Sequence, residues 1–407
     1  MRILFVTLAQ SVHAARWIDQ LAGTGWDLHV FPVFHDVPPY PELKGVTLHD
    51  FFYGAPDLAA QVRHTGIRVT APVIGQPLLR VARGAAHRLW PGNSVDRLVS
   101  VVKRIKPDIV HTMEFSSGGG LTLEAKKRLG DAFPPWIIGN WGDEVQFFSK
   151  LSAYGETIKA VVRTADYFTS ECARDLPLVR ELGFQGEVLP VTPAGGGFDL
   201  DQTRPLRQPG LTSARKWILI KGYQDIRGRA LFALRALELC ADQLAGYRVG
   251  VYAINSEEVR TMVELLQHKG LPIEIIPRLP TNNDILKLFG QARVYLGLSM
   301  SDGISTSLLQ ALVMGTFPIQ SGTACANEWI THGESGMIVP PQDPQMVAEA
   351  LQQALTDDAL VDAAVAINDE TTRTRLDKAI VSQNTIALYE QVMQQVQPTA
   401  MPGGQVQ

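Results

Sequence analysis

The run Val294-Tyr295-Leu296-Gly297-Leu298-Ser299-Met300-Ser301-Asp302-Gly303-Ile304-Ser305-Thr306-Ser307-Leu308-Leu309-Gln310-Ala311-Leu312-Val313-Met314-Gly315-Thr316-Phe317-Pro318-Ile319 decides the architecture of this chain. Val294 to Leu298 is an apolar run of strand length, and Phe317 to Gln320 is a second one. Between them Asp302-Gly303 has turn composition, and Ser305-Thr306-Ser307 leads into a helical segment ending near Val313. Strand, loop, helix, strand is the repeating unit of a parallel sheet covered by helices. Such sheets bind ligands beyond the carboxyl ends of their strands, where a helix start offers hydroxyls and unpaired N–H groups. Asp302, Gly303, Ser305 and Thr306 are therefore candidates for holding an anion or a hydroxyl-rich ligand.

The same alternation extends upstream. Strands are predicted at Trp217 to Ile220, Tyr247 to Tyr252 and Ile273 to Ile276, and helices at Ala230 to Leu239, Glu257 to His268 and Ile285 to Gln291. Downstream, Met337 to Val339 reads as extended, Pro344 to Leu355 as helical, and Thr371 to Val396 has long helical character. Lys221, Gly222, Arg227, Gly228 and Arg229 follow the Trp217 strand and precede a helix. Cations beside glycines that permit close backbone approach suit a phosphate or diphosphate. A solvated basic turn is the plain alternative.

A separate β/α series occupies the first half. Strands are predicted at Ile3 to Val6, Leu28 to Val33, Ile109 to His111, Trp136 to Ile138, Tyr167 to Thr169 and Glu187 to Pro190. Helices are predicted through Ala15, Ile18 and Leu21, and at Val95 to Ile105, Leu121 to Leu129 and Ile158 to Val162. Thr7 to His13 leaves the first strand without a GxGxxG pattern, which speaks against a nicotinamide enzyme. His111 and Glu114 follow one strand and Trp141-Gly142-Asp143-Glu144 another; each is either a site group or a structural cap. From Val191 to Gly210, Pro193, Gly195-Gly196-Gly197, Pro205 and Pro209 have linker composition. The expected organisation is an α/β chain of two Rossmann-like domains facing across a cleft. The first spans 1–195 and the second 196–375, with a C-terminal helix at 376–396 packing back on the first domain and a disordered tail at 397–407.

Composition narrows the partners. The 407 residues carry a formal net charge of -4, and apolar residues make up 45%. That suits a compact soluble protein and gives no reason to expect nucleic acid. Between Leu58 and Val95, Arg63, Arg68, Arg80, Arg83 and Arg88 are interleaved with apolar residues and no acid, a pattern that suits weak contact with anionic lipid as well as an ordinary basic surface. Cys172, Cys240 and Cys325 are widely spaced with no CxxC, so neither a disulfide framework nor a structural zinc is expected. The start is too short an apolar run for a signal peptide, and no stretch is long enough to span a membrane. A cytoplasmic protein is expected, peripheral at most to the inner face of the cell membrane.

From Asp302 to Gly315, through Phe317-Pro318-Ile319 and Asn327-Glu328-Trp329-Ile330, to Gly333, Gly336 and Val339-Pro340-Pro341, the chain resembles retaining glycosyltransferase family 4, whose members have the GT-B architecture. The resemblance implies transfer of a sugar from a nucleoside diphosphate sugar to a saccharide or lipid-linked acceptor, in surface polysaccharide, lipopolysaccharide or glycolipid synthesis. The family's two motif glutamates fall here on Asp302, near the transferred sugar and diphosphate, and Gln310, against the ribose hydroxyls. Its basic pair maps onto Lys221 and Arg227, and its glycine-containing turn onto Gly195, Gly196 and Gly197. Pro107-Asp108-Ile109-Val110-His111 resembles the strand entering the acceptor side, but Met113 stands where the family has a histidine; His111, Glu114, His13 and the Trp141 to Glu144 turn remain as candidates for acceptor or donor-sugar contacts.

Neither metal nor cofactor is implied: the cations at 221 and 227 would stabilise the leaving diphosphate in place of magnesium. The departing phosphate would take the acceptor's proton in a front-face displacement. The rival readings are a phosphorylase or an epimerase of the same architecture, and a non-catalytic nucleotide-sugar-binding or scaffold protein, suggested by the departures at 113, 302 and 310.

Overall fold

The computed structural model describes residues 1–35, 37–49, 67–69 and 93–396. They fall into two compact units. The first holds Met1–Glu171, Asp175–Gly196 and the chain from Val381 onward; the second holds Cys172–Arg174 and Gly197–Ile380.

In the first unit β1 (Arg2–Thr7), β2 (Asp27–Pro32), β3 (Thr47–Leu48), β4 (Arg68–Val69), β5 (Ile109–Thr112), β6 (Trp136–Asn140), β7 (Tyr167–Ser170) and β8 (Glu187–Val188) form one parallel sheet. Their order is β4-β3-β2-β1-β5-β6-β7-β8. Side chains alternate across a strand, so β1 feeds two cores. Ile3 and Phe5 pack with Ala14, Trp17 and Ile18 on one face, joined by Leu388, Tyr389 and Val392 of the last helix. Leu4 and Val6 pack with Leu98, Val102 and Val161 on the other.

The second unit repeats the design with β9 (Trp217–Lys221), β10 (Arg248–Tyr252), β11 (Ile273–Ile275), β12 (Ala292–Gly297), β13 (Phe317–Ser321) and β14 (Met337–Val339). All pair in parallel, in the order β11-β10-β9-β12-β13-β14. Ile218 and Ile220 face the helices Ala230–Leu239 and Pro344–Thr356, whereas Leu219 and Tyr295 face Asn282–Gly290 and Thr306–Val313. Both units are thus Rossmann-like α/β layers.

Three features differ from the sequence reading. β3 and β4 are two-residue strands, β4 at the sheet edge and β3 next to it, that no apolar run announces. The segment read as a linker contains a short helix, Leu200–Thr203, capped by the Asp199 carboxylate on Gln202 N. The helical character read from Thr371 to Val396 is divided between two helices, Asp358–Arg375 and Lys378–Val396. The break has a tertiary cause: Phe198 N donates to Leu376 O at 2.7 Å and Lys378 N to Phe198 O at 2.9 Å, replacing helical bonds with a strand-like bridge.

Among the described residues no helix is long and apolar enough to cross a membrane. Of the five arginines singled out above, Arg68 lies exposed in β4; Arg63, Arg80, Arg83 and Arg88 lie outside the described residues, as does the 397–407 tail.

Candidate functional site

β9 has β10 on one side and β12 on the other, so the chain reverses its winding direction between β9 and β12. In an open α/β sheet that switch point is where a ligand finds room. The loops leaving these two strands are spliced together: Arg229 N donates to Leu298 O at 3.0 Å, and Met300 N to Arg227 O at 2.7 Å. Lys221 and Asp302 are thereby brought into electrostatic contact. Burial is the largest influence and opposes charge on Lys221, but Asp302, Tyr295 and Tyr223 together more than offset it, and the ammonium pKa lies above the ordinary lysine value. The Lys221 Nζ also sits 4.7 Å from the centre of the Tyr223 ring.

The loop holding Arg227 is shaped by Asp225, whose Oδ1 accepts from Arg227 N at 2.8 Å and Gly228 N at 2.7 Å. Glycine at 228 is needed there, because a Cβ would stand 2.3 Å from Tyr223 O. The Arg227 side chain is 47% exposed and 3.8 Å from Asp225, presented toward solvent beside Lys221 rather than packed. Arg229 does different work. Its guanidinium donates to the carbonyls of Asp225 at 3.0 Å and Gly228 at 2.8 Å, fixing the loop.

After β12, Gly303 and Ser305 are buried, Thr306 is half-buried, and Ser305 caps the helix Thr306–Val313 without a side-chain bond to it. Gln310 is buried on that helix, and its amide donates to Asn282 Oδ1 at 3.4 Å. Beneath lies a tyrosine layer. The Tyr252 hydroxyl donates to Ser307 Oγ at 2.8 Å, and that of Tyr295 to Gln320 Oε1 at 3.1 Å. Gly297 leaves the room for Tyr295, since a Cβ there would fall 2.0 Å from its hydroxyl oxygen. Burial raises the pKa of both phenols, so they act as neutral donors.

Sequence reasoning missed Arg174. Its guanidinium donates to Thr323 O at 2.9 Å and Asp302 O at 3.2 Å, bracing the two loops after β12 and β13. Nothing local signals this, because the partners lie 149 and 128 residues away. Tyr295 was more legible: a tyrosine two residues before a glycine on one strand shares its face.

In the first unit, His111 is inside the core rather than at its edge. It is 1% exposed, its Nδ1 meets the Tyr389 hydroxyl at 2.6 Å, and burial lowers its pKa to about 3. Glu114 caps the wide helical turn Phe115–Gly119, accepting from Ser117 N at 3.0 Å and from Gly118 N. Burial raises its pKa against those bonds. Burial also pushes the Glu144 carboxyl up to about 8, opposed by its own N–H and reinforced by Glu114, Asp143 and Asp175. The ring of His13, at the first helix start, lies 5.8 Å from that of Trp141. Met113, where the resemblance implies histidine, is fully buried.

Gly196 and Gly197 show structural reasons for glycine. Gly196 adopts a φ of 73°, and a Cβ on Gly197 would stand 2.6 Å from the Lys378 Cα at the helix break.

Residues 233–372 match the family described as Glycosyl transferases group 1. No curated protein matches the chain. Among solved structures, the sucrose-phosphate synthase of Thermosynechococcus elongatus aligns with a TM-score of 0.68 at 15% identity, covering 96% of this chain and 99% of that one. Anabaena HepE in complex with UDP-glucose aligns at 0.65 and 15% identity, over 96% of this chain and 100% of that one. An α,α-trehalose 6-phosphate synthase from Burkholderia multivorans gives 0.67 at 13% identity, over 98% and 99%. At such identities the likeness is one of fold. The chain therefore has the GT-B type of architecture, and the group 1 glycosyltransferase match falls within its second unit.

Proposed function

We propose that this chain is a retaining glycosyltransferase of family 4 that moves a sugar from a nucleoside diphosphate sugar to a hydroxyl of a saccharide or lipid-linked acceptor. The observation that carries the reading is the splice between the loops after β9 and β12 at the switch point of the second sheet, which brings the Arg227 loop onto the loop leading to Asp302, within electrostatic reach of Lys221. Lys221 and Arg227 face the negative charge that gathers on the diphosphate as the glycosidic bond breaks. One such charge pair at about 4 Å is worth roughly 4 kcal/mol at an effective dielectric of about 20. The N–H groups at the start of Thr306–Val313 add donors without reorganisation. Asp302, with Tyr295 and Tyr223, favours the charged form of Lys221, and on this reading it lies near the transferred sugar. Gln310 and the glycine turn at Gly196 and Gly197 would lie along the nucleoside. The leaving phosphate takes the acceptor's proton, so no metal and no protein nucleophile is used.

On this reading the enzyme works in the cytoplasm, peripheral to the inner face of the membrane, in surface polysaccharide, lipopolysaccharide or glycolipid assembly. Glu114 and the Trp141–Glu144 turn are the acceptor-side groups; a carboxyl held near pH 8, as at Glu144, donates a hydrogen bond to a sugar hydroxyl at neutral pH. The test is a calorimetric survey of uridine, guanosine and adenosine diphosphate sugars in chelator-treated buffer, followed by turnover with candidate acceptors. One donor should bind and yield a product of retained anomeric configuration. Binding without turnover over a broad acceptor panel makes the chain a nucleotide-sugar-binding protein, and an inverted product removes the family 4 assignment.

A further inference from the structure

Cys172, Cys325 and Glu328 are remote in sequence, yet both Sγ atoms and a carboxylate oxygen of Glu328 lie within 4.8 Å of one another. All three belong to the second unit, because the segment Cys172–Arg174 clusters there. Cys172 and Cys325 are buried and Glu328 is half-buried, so the cluster has one side open to solvent. We propose that these residues form a zinc site, with Cys172 Sγ, Cys325 Sγ and a Glu328 oxygen as ligands and the fourth position left to water.

The donor set selects the metal. Two thiolates with a carboxylate favour zinc over the hard cations magnesium and calcium. Zinc–sulfur bonds of about 2.3 Å and zinc–oxygen bonds of about 2.1 Å hold tetrahedral ligands roughly 3.5–3.8 Å apart. With the three atoms within 4.8 Å of one another, a contraction of at most about 1.3 Å reaches that spacing. Cys325 and Glu328 are spaced C-x-x-E around the tight turn Ala326–Glu328, which puts both on one side of it. Cys325 adopts a left-handed conformation (φ 51°, ψ 22°), uncommon for a residue with a Cβ, and this sets the direction of its Cα–Cβ bond. The Glu328 carboxylate accepts from Ala173 N at 2.9 Å and Arg174 N at 3.0 Å, the outer hydrogen bonds that orient a ligating carboxylate. The Arg375 guanidinium, which donates to Glu328 O at 2.5 Å, lowers the cost of gathering three anions.

Binding is an acid–base step with no oxidant. Zinc replaces the two thiol protons, which pass to solvent, and forms two Zn–S bonds and one Zn–O bond. The ion would tie the turn 322–328 to the segment 172–174, whose Arg174 already holds the carbonyls of Thr323 and Asp302. It is a brace for the loop carrying Asp302 and takes no part in the transfer chemistry proposed above.

The test uses the full chain, reduced and chelator-treated, titrated with cobalt(II) as the probe and then with zinc(II). The expected result is one equivalent of cobalt with thiolate-to-metal charge-transfer absorption, release of protons, and loss of the absorption on zinc addition. Cys172→Ser and Cys325→Ser should each diminish the absorption and weaken binding by about tenfold or more. Cys240→Ala should keep both, since Cys240 is buried in a separate core and bonds Ala348 O. The wild-type titration decides the matter even where a variant fails to fold. Absence of stoichiometric cobalt uptake by the reduced chain overturns the proposal, as does uptake that survives loss of both cysteines. A Cys172–Cys325 disulfide on air oxidation, without metal uptake by the reduced form, also overturns it.

Discussion

Replacing Tyr389 by Phe is expected to destabilise the first unit by about 3 kcal/mol. The hydroxyl accepts from Trp17 Nε1 at 2.7 Å and bonds His111 Nδ1 at 2.6 Å. Trp17, His111 and Tyr389 are all buried, so water does not take the oxygen's place. Each buried polar group left without a partner costs about 1–3 kcal/mol, and two such groups bracket the loss at about 2–6. Removing a phenol that is itself expensive to bury returns part of this.

The same core makes stability depend on pH with a definite sign. Burial lowers His111 to about 3, so folding excludes a proton that the unfolded chain takes up near 6.5. Its contribution is complete above pH 6.5 and is lost at about 1.4 kcal/mol per pH unit as the pH falls toward 3. His49, lowered to about 4 by burial and then by His29 and Arg104, has the same sign. Glu144, raised to about 8, has the opposite one: its stabilisation is complete below 4.5 and is lost as the pH rises through 8. The lowered His29 and the raised Glu114 offset one another in sign. Two histidine slopes thus outweigh one carboxyl slope between pH 4.5 and 6.5, and the carboxyl alone acts above 6.5. Because Glu144 is only partly buried by surface area, screening reduces its share. Stability should peak near pH 6.5. Urea unfolding of wild type and Tyr389→Phe, followed by tryptophan fluorescence from pH 4.5 to 8.5, measures both effects. A variant within about 0.5 kcal/mol of wild type would refute the hydrogen-bond argument. Stability still rising from pH 6.5 to 8 would refute the sign assigned to Glu144.

Arg227→Ala should lower turnover about a hundredfold, roughly 3 kcal/mol, while leaving the melting temperature unchanged, because the side chain is half exposed; equal kinetics on the true substrates removes it from the site. Gly297→Ala should destabilise the second unit by about 1–3 kcal/mol by displacing the Tyr295 hydroxyl, and an unaltered thermal transition would show that the phenol moves freely. Gln310→Glu should weaken the unliganded protein by about 1–3 kcal/mol, because a carboxylate replaces an amide at a site 5% exposed, yet tighten a nucleoside diphosphate roughly tenfold. Titration with the 2',3'-dideoxyribose analogue checks this: equal losses for wild type and variant would mean that residue 310 does not read the ribose.

The strands of both sheets were legible because parallel strands covered on two faces are nearly continuous apolar runs, as in Ile3–Val6 and Trp217–Ile220. β3 and β4 were not, since a two-residue strand such as Thr47–Leu48 is too short to leave a pattern. The helix break at Leu376 and Asp377 was hidden for a different reason. Helical periodicity runs through it, and the competing partner, Phe198, is far away in sequence.

The polar residues after the strands separate on a single geometric point. Lys221 is the last residue of β9, paired with Tyr252 of β10 but with nothing in β12, and Asp302 lies beyond the end of β12, so both stand at the carboxyl edge. His111 is the third residue of the four in β5 and is paired on both sides, with Phe5 of β1 and Ile137 of β6. A residue held in the middle of a parallel sheet points into one of its two cores, whatever its polarity, and there a histidine must be neutral and hydrogen-bonded. Reading a polar residue near a strand end as a ligand group is therefore sound only once the ladder's last pair is known. That boundary is the quantity a sequence specifies least well, because it depends on how far the neighbouring strands extend. Glu114 shows the intermediate case: it has left β5, but the chain turns at once into the helical turn Phe115–Gly119, whose unpaired N–H groups take up the carboxylate.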